Sequence, residues 1–518
     1  MRSKRSISAW GGLGIVIFIV IWFLPWRFAT NDDVIMMWLV SGAYTGTPEP
    51  YAVFIHPFLS WTLSNLYSFF PLVQWYSITF FCTLYLSFLG IVICVINRSI
   101  STKWQNVILF SVLVLWMHFS FFLQFTIVAG VAGFAGLLVF EKSIYSSSKA
   151  HSIVALILIF LSILIRWESF VLFAMGFGSY QLVFKFKQFF GRKLIKYSSI
   201  AFVFCGLFFA DYLYTSNSSY AEFKKYTKAR AAVFDHPVFY TLGVEHQLNS
   251  NTDWFFFSQS MMDENNIDEK RLIDLKHQLD DKLYSFQQIG RSFVRLKEVM
   301  VFQNFKIAFS LLIILFYFWV FWKKPNKFLF FLGWIGFMVV FNHFFIVNFR
   351  VYILFFLPLL FPIILDADIP DTKPLIIFLI YLLIGSFLLI HLTNISLEVR
   401  RRNSISKEFD ESIRGLKNNQ LIVFEGFQQH FLPIHYNSIN PVPYISMGWI
   451  SKSPFQTKAL GRFGIEKLSG SSNFYLLGLD IIDDYNFQEY MKWLGYTYEL
   501  ESISTGDELI LFHYTLKK

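Results

Sequence analysis

The chain is poor in charged residues and in cysteine. Only 15% of its 518 residues are Asp, Glu, Lys or Arg, whereas a soluble domain averages about 25%. Its cysteines, Cys82, Cys94 and Cys205, all fall within apolar segments, which indicates small buried hydrophobes and argues against a disulfide framework or a metal site. The sequence also lacks a phosphate-binding loop of the form G-x-x-x-x-G-K-[ST], so nothing in it points to direct use of ATP.

Apolar and aromatic residues dominate instead. Hydrophobic residues make up 55% of the chain and aromatic residues 20%, with 65 Phe. They form runs of roughly 20 residues, long enough to cross the ~30 Å hydrocarbon core of a bilayer. We therefore predict a polytopic α-helical membrane protein. The net charge of +9 is expected to set its topology and to attract membrane lipids, and nucleic-acid binding is not expected.

The apolar runs predict about eleven transmembrane helices. They lie at residues 11–26, 76–96, 105–121, 124–140, 152–166, 169–184, 198–215, 304–322, 327–346, 350–365 and 374–394. Lys and Arg recur in every second connection, as the positive-inside rule requires of cytoplasmic loops, and the acidic stretch 366–371 is the one exception. This alternation predicts an N-terminus inside, a C-terminus outside, and a place in the cytoplasmic (inner or plasma) membrane, in agreement with a bacterial source.

Three larger regions are predicted to face outward. Loops 27–75 and 216–303 belong to a transmembrane domain of residues 1–396, and residues 397–518 form a C-terminal extracytoplasmic domain. Short strand-like runs alternate with helical sequence in this last region, which predicts a small α/β fold. Those runs are 421–424, 474–477 and 509–513.

Two adjacent carboxylates, Asp32 and Asp33, follow the first span directly. A carboxylate beside hydrocarbon is unfavourable, so an acidic pair at a membrane boundary indicates a function. The alternative is a solvated helix N-terminus, because Asn31 and Asp32 are good caps and Asp33 favours a first turn. Neighbouring helical residues point about 100° apart, so the two acids are expected to do different jobs.

Further polar residues gather at the same predicted side. They are His56, Arg166, Glu168, Lys225, Arg230, His343, Asn348 and Arg350. Taken singly, each has a simpler explanation, such as an interfacial anchor for Arg166 or a satisfied core residue for His343. Their concentration outside suits transfer from a lipid phosphate, because a carboxylate can serve as general base while cations stabilise the departing phosphate.

This arrangement resembles the GT-C superfamily of membrane glycosyltransferases, which includes the protein O-mannosyltransferases and the aminoarabinose transferases of lipid A. The match rests on Asn31-Asp32-Asp33, on the turn 165–168, and on residues 348–352 with Pro358, and it covers residues 1 to about 396. The resemblance implies inverting transfer of a sugar from a polyprenyl-phosphate-linked donor. The acceptor would be a cell-envelope glycan, lipid or protein on the outer face of the membrane.

The resemblance also implies roles for the polar residues. Asp33, ahead of Asp32, would be the catalytic base or a group that positions the acceptor. The other residues would bind substrate: Arg166, Arg230 and Arg350 at the phosphate, Lys225 in a second basic group, and His56, Glu168, His343 and Asn348 around them.

The first loop lacks the separated Asp-x-Asp that several relatives carry. We therefore predict metal-independent transfer without a cofactor, with Mg²⁺ or Mn²⁺ as the open alternative. A transporter or flippase for a polyprenyl-linked glycan would instead string polar residues through both leaflets and break helices at mid-membrane. An O-antigen-type polymerase or ligase would centre on a late outer loop. In a non-enzymatic scaffold, the outer acids would be replaceable.

Overall fold

The computed structural model describes most of the chain. The described residues are 2–145, 148–188, 194–216, 218–239, 252–264, 266–301, 304–348, 351–370, 372–414, 416, 420–424, 441–479, 487–506 and 509–517. The first twelve α-helices span the following residues: α1 Arg2–Phe23, α2 Asn31–Ser41, α3 Pro57–Phe69, α4 Trp75–Ile96, α5 Thr102–Phe121, α6 Phe125–Tyr145, α7 Lys149–Gln188, α8 Leu194–Ser216, α9 Ala221–Phe234, α10 Asp253–Ser258, α11 Glu269–Leu283 and α12 Phe286–Val301.

The remaining elements complete the bundle and the C-terminal domain. The later helices are α13 Asn304–Phe321, α14 Pro325–Phe344, α15 Leu360–Asp366, α16 Pro374–Arg414, α17 Pro454–Gly461 and α18 Phe487–Trp493. The strands are β1 Arg27–Phe28, β2 Phe122–Leu123, β3 Ile422–Phe424, β4 Tyr444–Ile445, β5 Asn473–Leu479, β6 Tyr498–Thr505 and β7 Leu509–Leu516. Within the described residues, nine helices are long and apolar enough to cross a membrane. The chain is therefore a polytopic helical membrane protein.

Helix α7 contains two predicted spans that are joined without a loop. Its backbone leaves helical geometry at Arg166, where φ is −160° and ψ is 96°. The Arg166 guanidinium lies 5.2 Å from the ring of Phe125, at the start of α6. Lys185, further along α7, pairs with Glu141 near the end of α6, at 3.3 Å. The chain thus reverses at Arg166, and the two halves of α7 run in opposite directions along α6.

The predicted span 350–365 is not a single regular helix. It consists of the 3₁₀ helices Tyr352–Phe355 and Leu357–Leu359 followed by α15. Pro358 and Pro362 explain the break, since proline has no backbone N–H and clashes within a helix. The segment is buried from Tyr352 to Leu359, which suits irregular backbone at membrane depth, because such backbone is tolerated only inside protein or along a water-filled cavity.

Small residues let α6 approach its neighbours closely. A Cβ atom on Gly136 would lie 2.9 Å from Ile159 Cγ1, and one on Gly133 would lie 2.8 Å from Ser162 Oγ. Helix packing in membranes relies on such close approach, since apolar burial gives no advantage over contact with lipid. These glycines therefore fix the position of the turn at Arg166 above α6.

The C-terminal region forms a five-stranded mixed sheet in the order β4-β3-β5-β7-β6. Strand β3 is parallel to β4 and β5, and β7 is antiparallel to β5 and β6. The three strand-like runs named above each overlap a strand of this sheet, β3, β5 and β7. Helix α16 continues through residue 396, where we predicted the domain boundary, because its polar second half rises out of the bundle. With 41 residues it is about 60 Å long, and Glu408 accepts a hydrogen bond from Leu509 N at 2.8 Å.

The three predicted outer regions meet at one buried carboxylate. Glu49, in the first loop, is 2% exposed and lies 2.7 Å from Lys458 Nζ of the C-terminal domain. Tyr220, which precedes α9, donates its hydroxyl to the same carboxylate at 3.2 Å. These regions therefore form one layer over the end of the bundle that holds α2 and the start of α6. We call this the Asp33 end, and the opposite end, beside Lys185, the Asp366 end.

Candidate functional site at the Asp33 end

Helix α2 places the two acids in its first turn. Thr30 precedes the helix with extended backbone angles, φ −140° and ψ 149°, and Gly42 ends it with φ +80°. A Cβ atom on Gly42 would lie 2.5 Å from Pro48 N, so a side chain there would clash as well as strain the backbone. Asp32 and Asp33 thus sit at the positive end of the helix dipole, which favours carboxylates.

Asp33 is fully buried and its oxygens are occupied. Oδ1 accepts from the Tyr76 hydroxyl at 2.9 Å and from Phe125 N at 3.1 Å, and Oδ2 accepts from the Thr30 hydroxyl at 2.9 Å. Burial raises the pKa of the Asp33 carboxyl to about 8, and these hydrogen bonds offset the rise only in part. Such a pKa would suit a general base, but an acceptor cannot reach a side chain with no exposed surface. The geometry favours a positioning role for Asp33 over the predicted role of base, and it excludes a solvated cap.

Asp33 should make stability depend on pH. Because its pKa is higher in the folded state, about 8, than the ordinary 3.8, the folded protein binds the proton more tightly. This contribution is complete below the ordinary pKa and is lost as the pH rises through about 8. We expect the free energy of unfolding to fall by roughly 4 kcal/mol from this group between about pH 5 and pH 8.

The measurement is thermal unfolding across that pH range, compared between the unchanged protein and Asp33→Asn, whose side chain cannot ionise. The variant should lose this part of the pH dependence while keeping its fold. An equally steep fall in stability for both proteins would contradict the assignment.

Asp32 points toward a different environment. It is half-buried and lies close enough to Arg230 of α9 for an electrostatic interaction. Arg230 is 5% exposed, and burial lowers the pKa of its guanidinium to about 10, so it stays charged at neutral pH. Among the described residues, no carboxylate lies within ion-pair distance of Arg230. A buried cation without a close counter-charge is unfavourable in the protein alone and suits an anionic ligand.

Two further polar groups on the same face of α9 are buried without a partner. The described part of the chain offers no hydrogen-bond partner to Tyr226 OH, Thr227 Oγ1 or Arg230 Nη1. Buried polar groups are normally satisfied, so three within five residues call for an explanation. An anion with several acceptor oxygens would satisfy all three at once, because each group can donate a hydrogen bond.

The turn of α7 lies close to Asp33. Arg166 pairs with Glu168 at 3.0 Å, and its guanidinium stacks on Phe125 and, at 5.7 Å, on Phe54. Since Phe125 N also donates to Asp33, the first loop and the turn of α7 meet at Phe125. The Arg166 side chain is 27% exposed, so its guanidinium can still reach a ligand.

His56 is held by the backbone on both sides. Its Nε2 lies 2.9 Å from Leu207 O and its Nδ1 accepts from Phe58 N at 3.1 Å. These contacts define a neutral ring with the proton on Nε2, and they leave no nitrogen for a substrate. His56 therefore caps α3 and ties it to α8, which differs from the predicted contact with substrate.

Replacing His56 should affect stability more than binding. We expect His56→Ala to destabilise the protein by about 1–3 kcal/mol, because the Phe58 N–H and the Leu207 carbonyl both lose their hydrogen-bond partner. Thermal unfolding measures the loss, and the KM for any substrate of the protein should stay within about twofold. A His56→Ala variant with normal stability and a raised KM would indicate that His56 contacts the substrate.

The structure does not gather every predicted residue at the Asp32–Arg230 pair. Lys225 is exposed on α9, and His343 packs against Phe344 at 5.1 Å. Asn348 accepts a hydrogen bond from Val351 N at 3.0 Å through its backbone. Neither the His343 nor the Asn348 side chain makes a hydrogen bond or ion pair with another described residue, and their predicted roles stay predictions. Arg350 lies outside the described residues.

Several residues of the site were not predicted. Tyr226 and Thr227 belong to the basic aromatic run before Arg230, and their spacing of four and three residues from it is that of one helix face. Trp449 of the C-terminal domain packs on Phe54 at 4.7 Å, and no local sequence signal indicates that long-range contact. Within the described ranges, no group of three His, Cys, Asp or Glu is placed to hold a metal ion, and metal-independent transfer stays a prediction.

Two solved structures match this chain over 98% of its length and 98% of theirs, each at 12% sequence identity. Both are ArnT from Cupriavidus metallidurans, bound to undecaprenyl phosphate with a TM-score of 0.42 and in the apo state with a TM-score of 0.45. No protein-family model matches the chain, and no curated protein matches it. Both TM-scores lie below 0.5, a range in which similarity does not establish a shared function.

Proposed function

We propose that this protein is a membrane glycosyltransferase that moves a sugar from a polyprenyl-phosphate-linked donor to an acceptor at the Asp33 end. The observation that carries the proposal is the set of buried donors on α9, Tyr226 OH, Thr227 Oγ1 and Arg230 Nη1, beside a half-buried carboxylate, Asp32. A phosphate would satisfy the donors, and the carboxylate would lie next to the bond that breaks. Positive charge and a base side by side are what such a transfer needs.

In the proposed reaction, Asp32 removes the proton of the acceptor hydroxyl. The hydroxyl oxygen of the acceptor attacks the sugar carbon that carries the phosphate. The bond from that carbon to the phosphate oxygen breaks, the sugar configuration inverts, and polyprenyl phosphate leaves. Arg230 and Arg166 stabilise the charge that develops on the leaving phosphate. Asp33 holds α2 against Phe125 and Tyr76 and so fixes the direction of Asp32.

A cavity beside α9 gives the acceptor a route to this site. It has a volume of about 480 Å³, and Phe223, Tyr226, Asp268 and Lys452 are among its lining residues. Aromatic faces and carboxylates suit the hydroxyl-rich surface of a glycan, and Tyr226 links the cavity to the α9 donors. We propose a cell-envelope glycan, lipid or protein as the acceptor class.

We also propose that the Asp33 end faces outward and that the chain crosses the membrane eleven times. Both halves of α7 and the segment 352–366 count as crossings in this arrangement. Arg98 donates to Leu365 O and Ala367 O, at 2.5 and 2.9 Å, and Lys142 donates to Ile93 O at 2.9 Å. With Lys185, these cations lie at the Asp366 end, where the positive-inside rule expects the cytoplasm. The cytoplasmic membrane of a bacterium is the proposed location.

The transferase is tested by supplying purified protein in liposomes with labelled polyprenyl-phosphate sugars and an envelope-glycan acceptor fraction. Labelled acceptor and free polyprenyl phosphate should form in equal amounts, and Asp32→Asn should slow the formation of both products about 1000-fold. Equal turnover by Asp32→Asn would contradict the proposed base, and consumption of donor without labelled acceptor would contradict sugar transfer.

A transporter of polyprenyl-linked glycan is the second candidate, and the broken segment 352–366 favours it, because discontinuous helices are typical of transport sites. Ion pairs hold the end of that segment to its neighbours, which argues against its movement during transport. Lys185 pairs with Asp366 at 3.2 Å and with Glu141 at 3.3 Å. Movement of intact donor across liposomes without loss of its sugar would support transport over transfer.

A further inference from the structure

A loop of the C-terminal domain, residues 446–453 between β4 and α17, reaches the proposed transfer site. Lys452 places its ammonium 5.4 Å from the centre of the Tyr226 ring on α9. Three residues earlier, Trp449 packs edge-on against Phe54 of the first loop, at 4.7 Å. The loop therefore connects the α9 donors to the aromatic residues at the turn of α7.

Hydrogen bonds within this loop fix its shape. Gly448 has φ +105°, a backbone conformation that glycine adopts far more readily than other residues. Its N–H donates to Ser451 Oγ at 3.1 Å, and its carbonyl accepts from Ser451 N at 3.0 Å. Ser453 caps α17 by accepting from Gln456 N at 3.0 Å. Ser451 is buried, whereas Trp449 is half-buried, so the indole projects from a loop that is itself held in place.

Strained backbone positions Phe54, the residue on which Trp449 packs. Val53 has φ +66°, and Phe54 N donates to Ala52 O across it at 2.8 Å, which is the hydrogen bond of a three-residue γ-turn. A positive φ is rare for a β-branched residue, and such strain is concentrated at active sites and ligand clamps. Since the Arg166 guanidinium lies 5.7 Å from the Phe54 ring, this turn joins Trp449 to the turn of α7.

The indole N–H of Trp449 is a buried hydrogen-bond donor that the protein itself does not satisfy. Over the described ranges, Nε1 of Trp449 has no hydrogen-bond partner, although the N–H of a buried Trp usually finds one. The ring as a whole is only half-buried, so a ligand at Phe54 and Arg166 can reach its edge. A sugar suits this position, because its oxygens accept hydrogen bonds while its C–H face packs on aromatic rings.

We propose that Trp449 binds the sugar of the lipid donor. Its indole N–H donates to a sugar oxygen, and its ring packs with Phe54 against one face of the sugar. Because Lys452 of the same loop contacts Tyr226, this sugar subsite adjoins the α9 donors that hold the phosphate. The inference rests on the proposed function and deepens it, since the C-terminal domain takes part in the choice of sugar.

The test measures equilibrium binding to the purified full chain in detergent. The probes are undecaprenyl phosphate and its glucose, mannose and arabinose esters, and the ester that the unchanged protein binds best serves as the reference. Trp449→Phe keeps an aromatic ring on Phe54 and removes the N–H. It should weaken binding of that ester roughly 10-fold, the usual effect of leaving a buried hydrogen-bonding group unpaired. Binding of undecaprenyl phosphate should change less than twofold, whereas a purely structural role would weaken both alike.

Trp493→Phe is the matched control. Trp493 is also half-buried in the C-terminal domain and packs on an aromatic ring, Phe256, at 5.2 Å, so its replacement should change neither affinity. A second measurement uses the unchanged protein and a sugar ester that carries a photoreactive group on the sugar. Crosslinks should fall on the peptide that contains residues 446–453, which decides the matter even where Trp449→Phe fails to fold.

Three results would overturn the inference. They are an equal loss of affinity for the ester and for undecaprenyl phosphate in Trp449→Phe, unchanged binding of both by that variant, and crosslinks confined to other segments. Each of them leaves the transferase proposal standing, because the unchanged protein still binds the donor. If the unchanged protein bound none of the probes, the proposed function itself would fail, and the sugar subsite with it.

Discussion

Asp32→Asn is expected to lower the rate of sugar transfer about 1000-fold while the protein still folds and inserts. A positioned general base contributes about 10²–10⁴-fold, and the amide of Asn cannot accept the acceptor proton. Asp32 is half-buried in the first turn of α2, so a neutral residue of the same shape should not disturb packing. The measurement is single-turnover transfer from a labelled lipid donor, with insertion and thermal stability checked in parallel.

Two variants make this result specific. Asp33→Asn should reduce transfer much less than Asp32→Asn, because its role is to position the helix through Tyr76 and Phe125. Asp274→Asn, at an exposed carboxylate of α11, should transfer normally. If Asp33→Asn were inactive and Asp32→Asn active, the roles of the two acids would be reversed.

Arg230→Gln is expected to weaken binding of the lipid donor by roughly 100-fold to several-thousand-fold. Losing a buried charged partner of a phosphate typically costs about 3–5 kcal/mol, and Tyr226 and Thr227 cannot replace the charge. Arg230→Lys should recover only part of the affinity, because an ammonium cannot form the bidentate pair of hydrogen bonds that a guanidinium forms with two phosphate oxygens. Equilibrium binding of a polyprenyl-phosphate sugar to the purified protein measures both changes.

The same helix supplies a comparison for Arg230. Lys225→Gln should weaken donor binding less than about threefold, since Lys225 is exposed and its charge is screened by solvent. Lys282→Gln serves as the neutral control in the same outer loop. An equal loss for Lys225→Gln and Arg230→Gln would mean that overall charge, rather than a built phosphate site, governs binding.

The membrane fold could be predicted where hydrophobic runs and charge agree. The predicted spans 76–96 and 105–121 differ from α4 and α5 by at most three residues at either end. Charge alternation also placed a reversal of the chain at Arg166, although no loop interrupts the helical sequence there. Composition could not show that residues 352–366 form broken helix, because proline breaks a helix in a way that depends on its neighbours.

The site was harder to predict, because it depends on which way each side chain points. The sequence identified four unusual residues: Asp32, Asp33, Arg166 and Arg230. It could not show which of the two adjacent acids is buried, because that depends on how α2 packs. In the folded chain, Asp33 accepts a hydrogen bond from Tyr76, 43 residues away. Asp32 instead interacts electrostatically with Arg230. The contacts of Glu49 with Lys458 and of His118 with His391 span 409 and 273 residues, so no local pattern could indicate them.

A structure of the protein with a polyprenyl-phosphate sugar bound would test the proposed phosphate site most directly. The donor phosphate is expected about 3 Å from Arg230 Nη1 and from the Tyr226 hydroxyl, with Asp32 facing the sugar carbon. A phosphate bound at the Asp366 end, or one at the Asp33 end that leaves Arg230 without contact, would contradict it.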